Sequence, residues 1–161
     1  MTFTELMTAF GNDAELEDFL PDADGDYRVC IDGTDITFME HAGAGRLFIW
    51  AFVNEDKPMD FNAEVCHLLL EAMFMGSGTS GATFSLEPER HLLCLHCTEQ
   101  LENLTYEKFK ATLEKFVSVL EQWRRILEDY VNCSDDIQEI RDFKREQERT
   151  LNLGQDNFLR P

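Results

Sequence analysis

In the first ten residues, Phe3, Leu6, Met7 and Phe10 recur at intervals of three and four, the spacing of one helix face. Thr2, with Glu5 three residues on, forms a capping-box pattern, and Gly11-Asn12 is the expected stop. Residues 15–20 extend this helical region only weakly, and 21–26 read as a polar turn. The period then changes to two. Tyr27, Val29 and Ile31 alternate with Arg28, Cys30 and Asp32, and a second alternation runs through Ile36, Thr37, Phe38 and Met39. Asp32-Gly33 lies between them and is a strong hairpin signal, because a two-residue turn needs positive φ at its centre. Residues 47–53 are apolar on both faces, as in a strand inside a sheet. A helical period returns through Phe61, Val65, Leu68, Leu69, Ala72 and Met73. Pro58 opens this segment and Gly76-Ser77-Gly78 stops it. Residues 82–86 and 92–97 read as strands joined by Glu87-Pro88-Glu89-Arg90. Phe109, Leu113, Phe116, Leu120, Trp123, Leu127 and Tyr130 then step by four and three along a helix of about 26 residues.

This order predicts an α+β fold, α-βββ-α-ββ-α. Its core is a mixed, mostly antiparallel five-stranded sheet with three helices. The domain is expected over 1–132, followed by a polar tail, 133–161, that is partly helical or disordered. Within the tail, Asp136 and Glu139 are placed to cap a short helix containing Ile137, Ile140 and Phe143.

A chain of 161 residues fits one domain. It can bury roughly 70% of its unfolded surface, enough for a core. The apolar fraction is 43%, with 13 Phe, which argues against global disorder despite a net charge of −18. That charge is uneven: residues 1–60 hold 14 acids and 3 bases, 61–132 hold 11 and 6, and 133–161 hold 7 and 5. Such a surface repels phosphate backbones and anionic membranes, so neither nucleic-acid binding nor membrane insertion is expected. It keeps a protein with apolar patches in solution and favours partners with basic segments. Residues 1–10 show neither the basic nor the apolar region of a signal peptide, and no run of about 18 apolar residues occurs. Five Cys, an odd count, fit reduced thiols in a cytoplasm.

Three partial motifs fail on inspection. Asp22, Asp24 and Asp26 occupy positions one, three and five of an EF-hand loop. Position six is Tyr27 where Gly is needed, and position twelve is Gly33 where a bidentate Glu is needed. Gly76 to Gly81 has the glycine spacing of a phosphate loop, but no Lys follows, and the loop runs from helix to strand, the reverse of the required order. It reads as a flexible connection. His91, Cys94, His96 and Cys97 cluster like zinc ligands, but a strand sends Cys94 and His96 to one face and His91 and Cys97 to the other. No metal, cofactor or catalytic residue is therefore expected. A Cys–His pair assembled in space, using Cys94 or Cys133, stays open as a rival.

The size, the acidity and the order of elements resemble the class I chaperones of type III secretion, the Tir chaperone (CesT-like) family. The stretches that carry the likeness are 3–10, 47–53, 61–74 and 91–123, within residues 1–131. The resemblance implies a cytoplasmic homodimer that binds the N-terminal segment of one or more effectors. It would keep that segment secretion-competent and deliver it to the export apparatus without hydrolysing ATP. It implies effector contacts at Leu6, Met7 and Phe10, and at Val29, Ile31, Ile36, Phe38, Phe48, Trp50 and Phe52 on the first three strands. It implies a dimer interface at Val65, Leu68, Leu69, Ala72 and Met73, with Phe84 and Leu86 adjoining. The tail's contact is open among the export ATPase, the client and none. The alternation also leaves open whether Phe48, Trp50 and Phe52 or Leu47, Ile49, Ala51 and Val53 face inward. The alternative is a YbjN-like adaptor of similar fold that binds a folded partner.

Overall fold

Asp32 (φ 50°) and Gly33 (φ 77°) both take the left-handed conformation that a two-residue hairpin requires. This turn joins β1 (Tyr27–Ile31) to β2 (Thr34–His41), with Ile31 opposite Thr34 and Tyr27 opposite Phe38. In the computed structural model, which describes residues 1–55 and 61–132, these strands begin a five-stranded sheet. β3 (Arg46–Phe52), β4 (Thr83–Leu86) and β5 (Leu93–Gln100) complete it in the order β1-β2-β3-β5-β4. All four pairings are antiparallel, which narrows the expected mixed, mostly antiparallel sheet. β3 is central, as its two apolar faces require.

Helix α1 (Phe3–Asp13) begins with the predicted capping box. The Glu5 amide donates to Thr2 Oγ1 at 3.2 Å, and the Thr2 amide donates to Glu5 Oε2 at 2.8 Å. Gly11 does not stop it. The helix runs on to Asp13, and Gly11 is instead a contact point: a Cβ there would lie 3.0 Å from Phe19 Cδ1. α2 (Ala63–Met73) is capped by Asn62, whose Oδ1 accepts from the amides of Glu64 and Val65 at 3.0 Å each. α3 spans Tyr106–Asn132. The chain divides into two compact units, 1–124 and 125–161, the second beginning in the last turns of α3. The expected capped helix at 136–143, the rest of the tail and the Pro58 start signal lie outside the described residues.

Within the first unit, α1 and α3 cover one face of the sheet. Phe10 meets Phe38 at 5.5 Å and Phe109 at 5.6 Å between ring centroids, all edge-to-face, and Phe38 meets Phe109 at 5.6 Å. Ile36, Leu47, Ile49, Leu95 and Leu120 are fully buried in the same layer. Arg124 ties α3 to the sheet by donating to the Phe52 carbonyl at 2.9 Å and to Thr34 Oγ1. At the other end of the layer, Asp13 accepts from Lys110 Nζ at 2.7 Å and from Tyr106 Oη at 2.9 Å. These bonds hold the Asp13 carboxyl below its ordinary range.

The glycine-rich segment after α2 is pinned rather than flexible. Gly78 donates to the Ala72 carbonyl at 2.9 Å and accepts from Trp123 Nε1 at 2.8 Å. A Cβ at Gly78 would stand 2.9 Å from Ala72 Cα, so this glycine serves close packing. That explains the middle glycine of the false phosphate loop, while Gly76 and Gly81 take positive φ, 70° and 92°.

Candidate functional site

The register decides which face is inner. Leu47, Ile49 and Ala51 are buried under the helices, so Phe48, Trp50 and Phe52 stand on the opposite face, half-buried in a row along β3. Met39 lies opposite Phe48 on β2. On the β5 side, Thr98, His96 and Cys94 lie opposite Phe48, Trp50 and Phe52. Trp50 and Phe52 meet edge-to-face at 5.3 Å, and the Phe48 and His96 rings lie 6.2 Å apart. The Arg90 guanidinium sits 4.7 Å above the Phe52 ring. This aromatic row is an accessible apolar surface on an otherwise acidic chain, the kind of patch that marks a binding site.

A second apolar surface gathers around α2 and β4. Leu70 is 64% exposed, Phe74 73%, Met75 89% and Leu86 46%. Met75 has φ 54°, a backbone state that costs a non-glycine residue free energy. Together with Gly76 (φ 70°) it closes the end of α2 in a tight turn that leaves Phe74 and Met75 outward.

The titratable groups here are not set for catalysis. Cys94 is on the open face and Cys97 on the covered one, so their thiols do not converge. Burial raises the Cys94 pKa, and burial with the Glu99 charge pushes Cys97 up to about 12. Both thiols therefore stay protonated, the inert condition. Burial lowers the pKa of His96 and keeps its ring neutral. The Asp22 carboxylate accepts from the amides of Asp24 and Asp26 at 3.0 Å each and pairs with Arg28 at 3.1 Å. The acidic turn thus uses that oxygen set on itself.

Of the residues expected to contact a client, Phe48, Trp50 and Phe52 share the open face. Leu6, Met7, Phe10, Val29, Ile36 and Phe38 are buried in the chain's own core, and Ile31 is half-buried at the hairpin end. Of those expected at a dimer interface, Val65, Leu69 and Phe84 are buried within the chain. Leu68, Ala72 and Met73 are half-buried and Leu86 is exposed. Sequence reasoning passed over Met39, Leu70, Phe74 and Met75. The signal for the last three was present: they are apolar residues left over once the buried seam of α2 is assigned.

A sequence model of the Tir chaperone protein (CesT) family matches residues 5–124. The chain therefore belongs to that family, a class of binding proteins and not of enzymes. Three solved structures share the fold. The HopA1–SchA chaperone–effector complex matches at 17% identity and TM-score 0.62, covering 76% of this chain and 93% of that one. The ExsC–ExsE complex matches at 21% identity and TM-score 0.66, covering 79% and 97%. The Yersinia pestis type III secretion chaperone SycH, in complex with a stable fragment of YscM2, matches at 14% identity and TM-score 0.58, covering 76% and 99%. No match is found among curated proteins. Among the described residues, no helix is long and apolar enough to cross a membrane.

Proposed function

We propose that this protein is a cytoplasmic type III secretion chaperone. It binds the N-terminal segment of one or more effectors, keeps it secretion-competent and delivers it to the export apparatus. The observation that carries the reading is the family match over 5–124, whose solved relatives include chaperone–effector complexes. The open sheet face supplies the physical means. A client segment pays ordering entropy when it binds, so it needs several apolar anchors at strand spacing. Phe48, Trp50 and Phe52 offer such a row, widened by Met39 and by Arg90 over Phe52. The buried residues of α1, β1 and β2 pack beneath this face.

The working form is a homodimer joined through α2 and β4. Leu70, Phe74, Met75 and Leu86 form an apolar surface that a two-fold partner would cover with its own copy. The half-buried Leu68, Ala72 and Met73 border it. The export ATPase is the further partner in this reading, reached by the loaded dimer.

The test is an affinity-tagged pull-down from the native host, with mass spectrometry and light scattering on the recovered complex. A dimer carrying the N-terminal segment of a secreted protein is the expected result. A folded housekeeping partner would favour an adaptor instead, and a bare monomer would remove the dimer.

A further inference from the structure

The open face of the sheet differs in sign from the rest of the chain. Among the strand residues, the register puts one carboxylate there, Asp35. Glu40 and Glu99 both lie opposite Leu47 and so belong to the covered face, where Lys108 at 2.7 Å and the Thr112 hydroxyl at 3.2 Å hold Glu99. Arg28, Arg46 and Arg90 stand on the open face, in a chain of net charge −18. Arg28 is engaged, paired with Asp22 at 3.1 Å. Arg90 lies over the Phe52 ring, with Glu87 3.8 Å away. Arg46 is exposed and has no carboxylate partner among the described residues.

Arg46 marks one end of the aromatic row. It begins β3, two residues before Phe48. The register sets His41 on one side of it and Gln100 on the other, both exposed. The His41 ring lies 6.4 Å from that of Phe48, so this polar corner adjoins the apolar row directly. The backbone beneath it is fixed: Arg46 is paired on both sides, and the Gly45 carbonyl accepts from the Leu101 amide at 3.0 Å. Asp35 lies six residues along β2 from His41, about 20 Å away. That exceeds the screening length of about 8 Å at physiological ionic strength. The open face is therefore positive at this corner, although the charge of the whole chain favours basic partners. The far end of the row differs. Continuing the same register brings Asp35 level with Phe52, and Asp35 and Glu87 there offset Arg90.

We infer that the segment bound on the aromatic row carries an acidic residue at one end of its apolar stretch, and that Arg46, with His41 and Gln100 beside it, receives that carboxylate. A guanidinium can take a carboxylate through two parallel N–H bonds, which fixes position as well as adding attraction. The Gln100 amide and the His41 ring can each donate a further bond. The apolar side chains that follow fall on Phe48, Trp50 and Phe52. Because the uncompensated cation stands at one end only, it also sets which way the segment lies. The inference rests on the reading of this row as the client face and names the chemistry of the client that fits it.

The test uses three fluorescein-labelled peptides with the same centre, alternating leucine and threonine over about seven residues, or about 20 Å when extended. They differ only in carrying glutamate, glutamine or lysine at both ends. Fluorescence anisotropy with the intact protein should show the glutamate peptide binding about fivefold tighter than the glutamine peptide, with the lysine peptide weakest. The gap should close in about 1 M sodium chloride. Arg46→Glu changes an exposed side chain without a partner, so circular dichroism and light scattering should match the parent, and the order of the peptides should invert. Tightest binding by the lysine peptide in the parent would mean that whole-chain charge governs the face, and would overturn the inference. So would an unchanged order in Arg46→Glu, or no binding by any of the three. Trp50→Asp separates the two readings. If it weakens the glutamine peptide while Arg46→Glu reorders nothing, the acidic preference fails and the client face stands. If it leaves all three peptides unchanged, the face itself is wrong.

Discussion

The two faces of the sheet are built from the same strands, yet only one is sealed by the chain's own helices. On β3, Leu47, Ile49 and Ala51 are sealed under α1 and α3, while Phe48, Trp50 and Phe52 remain half open. The larger, more aromatic set is the one left at the surface. A fold that used apolar residues only for stability would bury its three large aromatics first, because they carry the most removable area. The covered face instead takes its aromatic rings from the helices, Phe10 and Phe109, closing on Phe38. One face is finished by the chain itself, and in the proposed function the other is finished by a client.

Substitutions can break this contrast. Phe10→Asp puts a charge among Phe19, Phe38 and Phe109 and should cost more than about 4 kcal/mol, enough to prevent folding. Urea denaturation and circular dichroism would read it. A stable, folded Phe10→Asp protein would mean that α1 is not part of the sealed face. Phe74→Asp should leave the fold intact and convert a dimer to monomer by light scattering, because Phe74 is outward in the single chain. An unchanged mass would remove α2 from the interface.

Trp50→Asp separates the faces most directly. Stability should change by about 1 kcal/mol or less, while client affinity falls by about 2 kcal/mol, on the order of thirtyfold. Calorimetric titration with the recovered client segment measures both the loss and the residual binding. Should Trp50→Asp unfold instead, the open face is core.

His96→Gln gives the smallest effect. Burial lowers the pKa of His96 in the fold, so the unfolded chain binds its proton more readily. Its ring therefore costs stability as pH drops below the ordinary histidine value of about 6.5, and has no effect well above it. His96→Gln should melt like the parent at pH 8 and lose less stability between about pH 6.5 and 5. Parallel melting curves across that range would show that the ring is not shielded.

Most of the fold was legible because periodicity carries it. The change from three-and-four spacing to two marked α1 and β1, Asp32-Gly33 marked the hairpin, and the doubly apolar β3 marked the sheet's centre. What periodicity lacks is a sense of inside. It offered Phe48, Trp50 and Phe52 as a set, but only the register against buried Leu95 and Phe38 places that set outward. For α2 the same method went to the buried seam, Val65 and Leu69. The exposed residues lie on the far side of the helix and past its end, where the positive φ of Met75 turns the chain in a way its side chain does not advertise. Gly11 and Gly78 misled for a related reason. Both are demanded by a neighbour close in space, Phe19 for one and Ala72 for the other.

The strand order has a kinetic consequence. β1, β2 and β3 are joined by short turns, so their meander forms from local contacts at small entropic cost. β5 must find β3 across everything between Phe52 and Leu93, a long loop closure of the kind that slows folding. During synthesis the N-terminal meander emerges first, with its β3 edge unpaired until β5 arrives. β4 reaches the sheet only through β5, so both faces of the sheet are complete only once β5 has paired with β3.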